Sequence, residues 1–277
     1  MNISHFSRGI PIIVGGCARS GTSLVRRILD SHRNIHCGPE VKFFRDFYCD
    51  YFDDPLRHLR FSTTARSILA EQELFDILGR AFVEIHERAA LRAGKSRWAD
   101  KAPENVLYLN DWGRLLGDDW RFVHVVRNPL DTLAAIRERS FPLSIPESLA
   151  DRIVYYRDHL AAGLEFGDKH PDRYHRIVYE KLVKSPERAV TELMSWLGER
   201  FECQQLSFNL VPHQSGLEDP KIDATDQIHA SSVGRWRAAF GNKEVREILV
   251  ATEDLWRRVD SAGVYAHSDA SRAEIQS

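Results

Sequence analysis

The sequence lacks the features that mark membrane proteins, secreted proteins and general polyanion binders. It has no apolar run of about 18 residues, so we expect no membrane partner. Residues 1–9 are polar and lack the apolar core of a signal peptide. The 277 residues carry 38 Lys and Arg against 40 Asp and Glu, a formal net charge of −2, so we expect no nucleic-acid partner. Any phosphate site must therefore come from a local cluster of cations.

Cysteine is scarce, with four residues in the whole chain. Their positions show no metal-ligand spacing, so the sequence predicts no metal site. So few cysteines in a chain of this length favour free thiols in a reducing compartment over a disulfide framework. The four are Cys17, Cys37, Cys49 and Cys203.

The stretch 11–31 predicts a buried strand, a glycine-containing turn and a helix. The free N–H groups and the dipole of such a helix start favour an anion. The spacing from Gly16 to Gly21 nearly fits a nucleotide P-loop, but Thr22 stands where that motif requires lysine. The cation lies inside the turn instead, at Arg19. An ordinary strand–turn–helix corner is the alternative, although packing alone does not call for so many polar side chains there.

A second strand–turn–helix corner is predicted where the strand 120–126 runs into Arg127. A P-loop kinase needs an acidic magnesium ligand at the end of its second strand. A cation at that position favours a ligand with two separate phosphate positions and no required metal. Its helix is predicted to extend to about Arg139.

Strand-like and helix-like segments alternate, which predicts a three-layer α/β/α fold around a central parallel sheet of four or five strands. We expect one P-loop-like domain over residues 1–265 and a flexible C-terminal tail over residues 266–277. Residues 34–44 are predicted to form a loop, and residues 201–236 a long surface loop resembling a lid. One helix, over 73–93, is predicted to bury the face Leu74, Ile77, Leu78, Ala81, Phe82 and Ile85.

The residues Arg19-Ser-Gly-Thr-Ser23 resemble the 5′-phosphosulfate loop of sulfotransferases that use 3′-phosphoadenosine 5′-phosphosulfate (PAPS). Gly-Gly, Arg-Ser-Gly-Thr, Leu-Asp-Ser-His and Cys37-Gly-x-Glu40 are most similar to the protein-tyrosine sulfotransferase branch. The resemblance covers residues 10–45, 97–140, 174–187 and 225–236. It implies the P-loop-like sulfotransferase fold, PAPS as sulfuryl donor, adenosine 3′,5′-bisphosphate (PAP) as product, and no metal.

The resemblance also implies roles around the transferring group. Glu40 matches the proposed general base of the protein-tyrosine branch, and Arg19 and Lys101 match cations on the sulfuryl and bridging oxygens. The alternatives are a solvated loop acid at position 40 and a surface lysine at position 101. The expected 5′-phosphate ligands are Arg19, Ser20, Gly21, Thr22 and Ser23.

For the 3′-phosphate, the resemblance implies Arg127, Arg139 and Arg235. Tyr179 matches a tyrosine that reaches the adenosine of the donor, and a core tyrosine is its alternative.

Two serines of the family are missing, because Ala135 and Ala224 stand at their positions. We expect Ser231 or Ser232 to supply a hydroxyl to the 3′-phosphate instead. The loss of one such hydrogen bond costs about 1 kcal/mol, and up to about 3 kcal/mol for a charged acceptor.

The acceptor is predicted to be a tyrosine of a peptide or protein, with a small phenol or a carbohydrate hydroxyl as the alternative. Lys42, Arg45 and Arg57 could meet acidic residues that flank such a tyrosine. A P-loop kinase and a protein that only binds are the rivals from other classes. Animal protein-tyrosine sulfotransferases are membrane-anchored Golgi enzymes, so without an apolar anchor we expect a cytoplasmic bacterial enzyme. The sequence does not fix the oligomeric state, and a homodimer stays open.

Overall fold

A parallel sheet of five strands forms the centre of the described structure. The structure is a computed structural model that describes residues 9–44, 59–138, 145–214 and 227–260, with only the backbone described for 59–63. The strand order is β2-β3-β1-β4-β5. The strands are β1 (Ile12–Gly16), β2 (Ile35–Cys37), β3 (Arg97–Lys101), β4 (Arg121–Val126) and β5 (Tyr174–Val178).

The helices connect these strands and extend beyond them. No described helix combines the length and the apolar character needed to cross a bilayer. A 3₁₀ segment, Pro103–Leu107, follows β3 directly. The α-helices are α1 (Thr22–Asp30), α2 (Leu59–Ile68), α3 (Glu71–Arg92), α4 (Leu109–Leu116), α5 (Pro129–Arg137), α6 (Leu149–Lys169), α7 (Tyr179–Lys184), α8 (Pro186–Leu197), α9 (Trp236–Ala239) and α10 (Asn242–Val259).

Helices cover both faces of the sheet, which confirms the three-layer prediction. On one face α1, α7 and α8 pack against side chains such as Val14 and Val123. On the other face α3, α4 and the end of α6 pack against Ile13 and Phe122. A third cluster joins α5, α6 and α10 beyond the end of β4. Every residue of β1 is buried, as expected for a central strand with apolar layers on both sides.

The order of the strands creates a crevice at their carboxyl ends. From β1 the chain runs to β2 and β3 on one side, then crosses β1 to reach β4 and β5. In register, Ile12 lies between Ala99 of β3 and Arg121 of β4. Open α/β sheets bind ligands where the direction of winding reverses, so the loops after β1 and β4 border the expected site.

Two element predictions were wrong. Residues 34–44 were predicted as a loop, but they contain β2, which is only three residues long and too short to show periodicity. The predicted inner face of α3 was also wrong in part, because Ile77 and Ile85 are 45% and 57% exposed. The helix instead turns His86 inward, where its ring stacks on Trp98 at 4.9 Å and its Nε2 lies 3.3 Å from Asp100.

A buried carboxylate fixes the end of α1. Asp30 accepts hydrogen bonds from the backbone N–H of Cys37 at 2.9 Å and from His213 Nδ1 at 2.6 Å. The ammonium of Lys95 lies 3.3 Å away, and His36 Nδ1 lies 3.4 Å away. Burial alone would raise the pKa of Asp30, but the two histidines and Lys95 outweigh it and hold the pKa far below its usual value. This cluster joins α1, β2 and the chain near residue 213.

We expect Asp30→Ala to destabilise the fold by about 3–5 kcal/mol at pH 7, since it removes the carboxylate that pairs with Lys95 and accepts from the N–H of Cys37. Because the folded-state pKa is lowered, the stabilisation is present above the unfolded value of about 3.9 and declines as the pH falls below it. Urea denaturation at several pH values measures the difference. Asp254→Ala is the control, because that carboxylate is 61% exposed and its pair with Arg157 is worth about 1 kcal/mol or less. Equal losses for both variants would contradict the prediction.

Candidate functional site

Close contacts with later parts of the chain shape the turn after β1. A Cβ at Gly16 would lie 2.2 Å from the carbonyl oxygen of Val125. Gly21 has a φ of 102°, and a Cβ there would lie 2.5 Å from the ring of Tyr179. Only glycine fits at both positions. The turn is therefore held against β4 and the start of α7.

The same turn presents an uncapped helix start. Gly21 precedes α1 and offers no side chain to its first amides. Ser20 is fully buried, and its hydroxyl has no hydrogen-bond partner within the part of the chain that the structure describes. Thr22 is buried beside it. A buried unpartnered hydroxyl next to open amides and a helix dipole has the character of an anion site.

A buried lysine reaches this turn from β3. Lys101 is fully buried, so it is not the surface lysine that was its alternative. Its ammonium donates to the hydroxyl of Ser23 at 3.2 Å and forms an ion pair with the Oε1 atom of Glu40. The side chain of Glu40 is only 9% exposed, so it is not the solvated loop acid that was its alternative. The structure thus brings two of the three predicted catalytic side chains, Lys101 and Glu40, to the helix start of α1.

The ion pair continues to two further residues. Lys42 Nζ lies 3.1 Å from the second oxygen of Glu40 and 3.1 Å from Oε1 of Glu104. Burial would lower the pKa of Lys42, but Glu104 and Glu40 outweigh it and raise the pKa above its usual value. Lys42 is therefore a cation at neutral pH.

The second corner centres on the guanidinium of Arg127, which is buried at the end of β4. Nη1 donates to the carbonyl of Arg19 at 2.9 Å, and Nη2 donates to the carbonyl of Ser232 at 2.5 Å. The guanidinium also lies over the ring of Tyr179, 4.6 Å from its centroid. Its buried Nε has no hydrogen-bond partner among the described residues. Arg127 thus joins the two corners and keeps one donor for a ligand.

The helix start at this second corner is closed, unlike the first. Asn128 caps α5, because its Oδ1 accepts from the N–H groups of Leu130 at 2.8 Å and Asp131 at 3.4 Å. The N–H of Asn128 itself donates to Glu180 at 3.0 Å. Burial raises the pKa of Glu180. An anion here would therefore be bound by the guanidinium and not by backbone amides.

Asp131 holds the late part of the chain against this corner. Its two carboxylate oxygens accept from the N–H of Gly234 at 2.7 Å and the N–H of Trp236 at 3.1 Å. These bonds place the carbonyl of Ser232 on Arg127. The segment between them carries Arg235, whose guanidinium pairs with Glu138.

Most of the predicted site residues lie together. Ser232 contributes its carbonyl to Arg127, and the hydroxyl of Ser231 pairs with His229 Nδ1 at 2.7 Å. Arg139, Arg45, Arg57, Ala224 and the tail 266–277 lie outside the described residues. The residues brought together around the two corners are Arg19, Ser20, Gly21, Thr22, Ser23, Glu40, Lys101, Arg127, Tyr179 and Ser232.

Sequence reasoning missed three carboxylates of this site. Glu104, Asp131 and Glu180 were not among the predicted site residues. Each is buried or half-buried and bonds a partner far away in sequence. The one local signal was an acidic residue three or four positions after a predicted cation, as Glu104 follows Lys101 and Asp131 follows Arg127.

Residues 11–202 match a family model described as the sulfotransferase family. A Caenorhabditis briggsae protein provisionally named a protein-tyrosine sulfotransferase is 24% identical over 247 residues, covering 86% of this chain and 84% of that protein.

Two solved structures share the fold. The sulfotransferase domain from the curacin biosynthetic pathway has a TM-score of 0.62 at 18% identity, covering 89% of this chain and 98% of that domain. Mouse sulfotransferase SULT7A1, solved in complex with PAP, has a TM-score of 0.52 at 15% identity, covering 89% of this chain and 83% of that protein.

We expect Asp131→Ala to release residues 234–236, because it removes a charged acceptor from two backbone N–H groups. Bonds to charged groups are worth about 1.5–3 kcal/mol each, so amide exchange at Gly234 and Trp236 should accelerate by about tenfold or more. Hydrogen–deuterium exchange measures this. Asp118→Ala is the control, since that side chain is 95% exposed and contacts Arg173. Unchanged exchange at residues 234–236 would show that other contacts hold the segment.

Proposed function

Because the chain belongs to the sulfotransferase family, we propose that it transfers a sulfuryl group from PAPS to a phenolic hydroxyl, with a tyrosine of a peptide or protein as the favoured acceptor. The observation that carries the proposal is the pairing of an open anion site after β1 with a guanidinium after β4. Arg127 joins these two sites directly. A small phenol and a carbohydrate hydroxyl are the alternative acceptors.

The residues present fit the donor at its two phosphate groups. The open amides and the buried, unpartnered hydroxyl of Ser20 suit the 5′-phosphosulfate. The unused Nε of Arg127 suits the 3′-phosphate. PAPS supplies the sulfuryl group, and PAP is the leaving group. The capped start of α5 supports a division in which the amides of α1 bind one phosphate and the guanidinium of Arg127 binds the other.

Between these two phosphate sites, Lys101 and Glu40 divide the work on the transferring group. Lys101 supplies positive charge where negative charge develops on the bridging oxygen, together with Arg19. A phenol has a pKa of about 10 and is a weak nucleophile at neutral pH. Glu40 accepts its proton as the new O–S bond forms. Lys101 pairs with one carboxylate oxygen of Glu40 in this structure. When the Lys101 ammonium turns toward the donor, that oxygen becomes free to accept the phenolic proton.

The rival reading as a P-loop kinase has less support. Thr22 stands in place of the P-loop lysine, and Arg127 stands where a kinase places its magnesium ligand.

We also propose that residues 1–265 act as one catalytic domain.

Isothermal titration calorimetry with PAP, and separately with ATP and magnesium, tests the donor. We expect magnesium-independent PAP binding, weakened about 10- to 100-fold by Arg127→Ala through the loss of charged hydrogen bonds. Adenosine 5′-phosphosulfate, which lacks the 3′-phosphate, is the matched control ligand and should lose little affinity. If both ligands lost affinity equally, Arg127 would instead act by holding the shape of the turn after β1 and not by binding the 3′-phosphate. Binding of ATP and magnesium alone would overturn the proposal.

The base assignment predicts that Glu40→Gln lowers kcat for a phenol acceptor by about 100-fold or more, while PAP affinity changes little. Steady-state PAP release gives kcat, and calorimetry gives the affinity. Glu84→Gln is a control of equal charge change, because Glu84 pairs with Arg88 on the outer surface of α3. Parallel losses of turnover and PAP affinity would remove Glu40 from the role of base.

A further inference from the structure

Four charged side chains of alternating sign lie in a row beside the proposed acceptor site. Lys101 pairs with one oxygen of Glu40, Lys42 lies 3.1 Å from the other, and Glu104 lies 3.1 Å beyond Lys42. Apart from Lys101, which is fully buried, their side chains are 9–16% exposed. Glu104 follows Lys101 by three residues, in the 3₁₀ segment after β3. The geometry therefore places a second carboxylate close to the proposed base.

Lys42 is the cation in this row that does not belong to the donor site. It lies two residues after Glu40 and would be the natural partner for a carboxylate next to the acceptor hydroxyl. Glu104 already lies against Lys42, and this contact contributes to the raised pKa of Lys42. The φ of 52° at Lys42 is unusual for a residue with a side chain. The backbone at Lys42 thus adopts a conformation that carries an energetic cost.

The charge balance changes when the donor site is used. If Lys101 turns to the donor, this row retains the ammonium of Lys42 between the carboxylates of Glu40 and Glu104. His159 of α6 lies within electrostatic range of Glu104. Burial lowers the pKa of His159, so the imidazole is neutral and adds no positive charge. An acceptor with its own carboxylate next to the hydroxyl would meet an occupied lysine and a repelling glutamate.

We propose that Glu104 is a specificity-determining residue: by occupying Lys42, it makes the enzyme select phenols that are neutral or cationic beside the hydroxyl and reject phenols that carry a carboxylate there. This inference rests on the proposed function. It narrows the acceptor class, because a tyrosine flanked by acidic residues becomes a poor substrate and a tyrosine in neutral or basic surroundings a good one.

Three matched phenols test it: 3-methylphenol, 3-hydroxybenzylamine and 3-hydroxybenzoate, which are neutral, cationic and anionic. PAP release at saturating PAPS gives kcat/KM for each. We expect the wild-type enzyme to favour the neutral and cationic phenols over the anionic one by about tenfold, the effect of one ion pair in a half-buried site. Glu104→Gln should raise the value for 3-hydroxybenzoate about tenfold relative to 3-methylphenol, because Lys42 becomes available.

Variants of Lys42 separate this effect from a structural one. The double variant Glu104→Gln/Lys42→Met should lose the gain for 3-hydroxybenzoate. Lys42→Met alone leaves two carboxylates and should increase the preference for 3-hydroxybenzylamine, so it tests the inference even if Glu104→Gln fails to fold. Glu84→Gln, which changes the net charge equally on the outer surface, should leave all ratios unchanged.

The outcomes are distinct. Identical ratios in the wild type, Glu104→Gln and Lys42→Met, or a wild-type preference for 3-hydroxybenzoate, would overturn this inference and leave the proposed function standing. Normal PAP binding without turnover of any of the three phenols would overturn the phenolic acceptor and, with it, this inference.

Discussion

The guanidinium of Arg127 is the contact on which the geometry of the site depends. It donates to the carbonyl of Arg19 in the turn after β1 and to the carbonyl of Ser232 in the late segment, and it stacks on Tyr179. Through these contacts Arg127 holds the turn after β1, the late segment and the start of α7 in fixed positions relative to one another. Tyr179 in turn packs over Gly21, so the shape of the turn after β1 also depends on this stacking contact. One buried cation thereby fixes the distance between the two proposed phosphate sites.

The two corners share a strand–turn–helix arrangement but differ in their chemistry. The first leaves its helix start open, because Gly21 has no side chain to cap α1. The second fills its helix start with Asn128 and Glu180 and retains a guanidinium. The backbone amides of a turn can donate to several oxygens of a phosphate or sulfate group, whereas a guanidinium binds such a group along one edge. This difference supports a reactive group held at the first corner and an anchoring group held at the second.

The sequence predicted the parts of the site that local patterns encode. A strand, a glycine turn and a helix start are contiguous, so the first corner could be recognised, and Arg127 directly followed the predicted strand 120–126. The three-residue β2 was too short to recognise, and the rotation of α3 depends on His86 meeting Trp98 and Asp100 on another element. Glu104, Asp131 and Glu180 were missed for the same reason, since their partners lie 52 to 105 positions away in sequence. Contacts of that range leave no periodic trace in a single sequence.

The contact between Arg19 and Arg127 spans 108 positions, and the one between Gly21 and Tyr179 spans still more. The turn after β1 therefore cannot acquire its final shape until β5 and α7 have joined the sheet. Such nonlocal closure slows folding and makes it cooperative. It also makes ligand binding and completion of the sheet one linked equilibrium, so that an adenosine bisphosphate would act as a folding ligand, stabilising the whole domain by mass action.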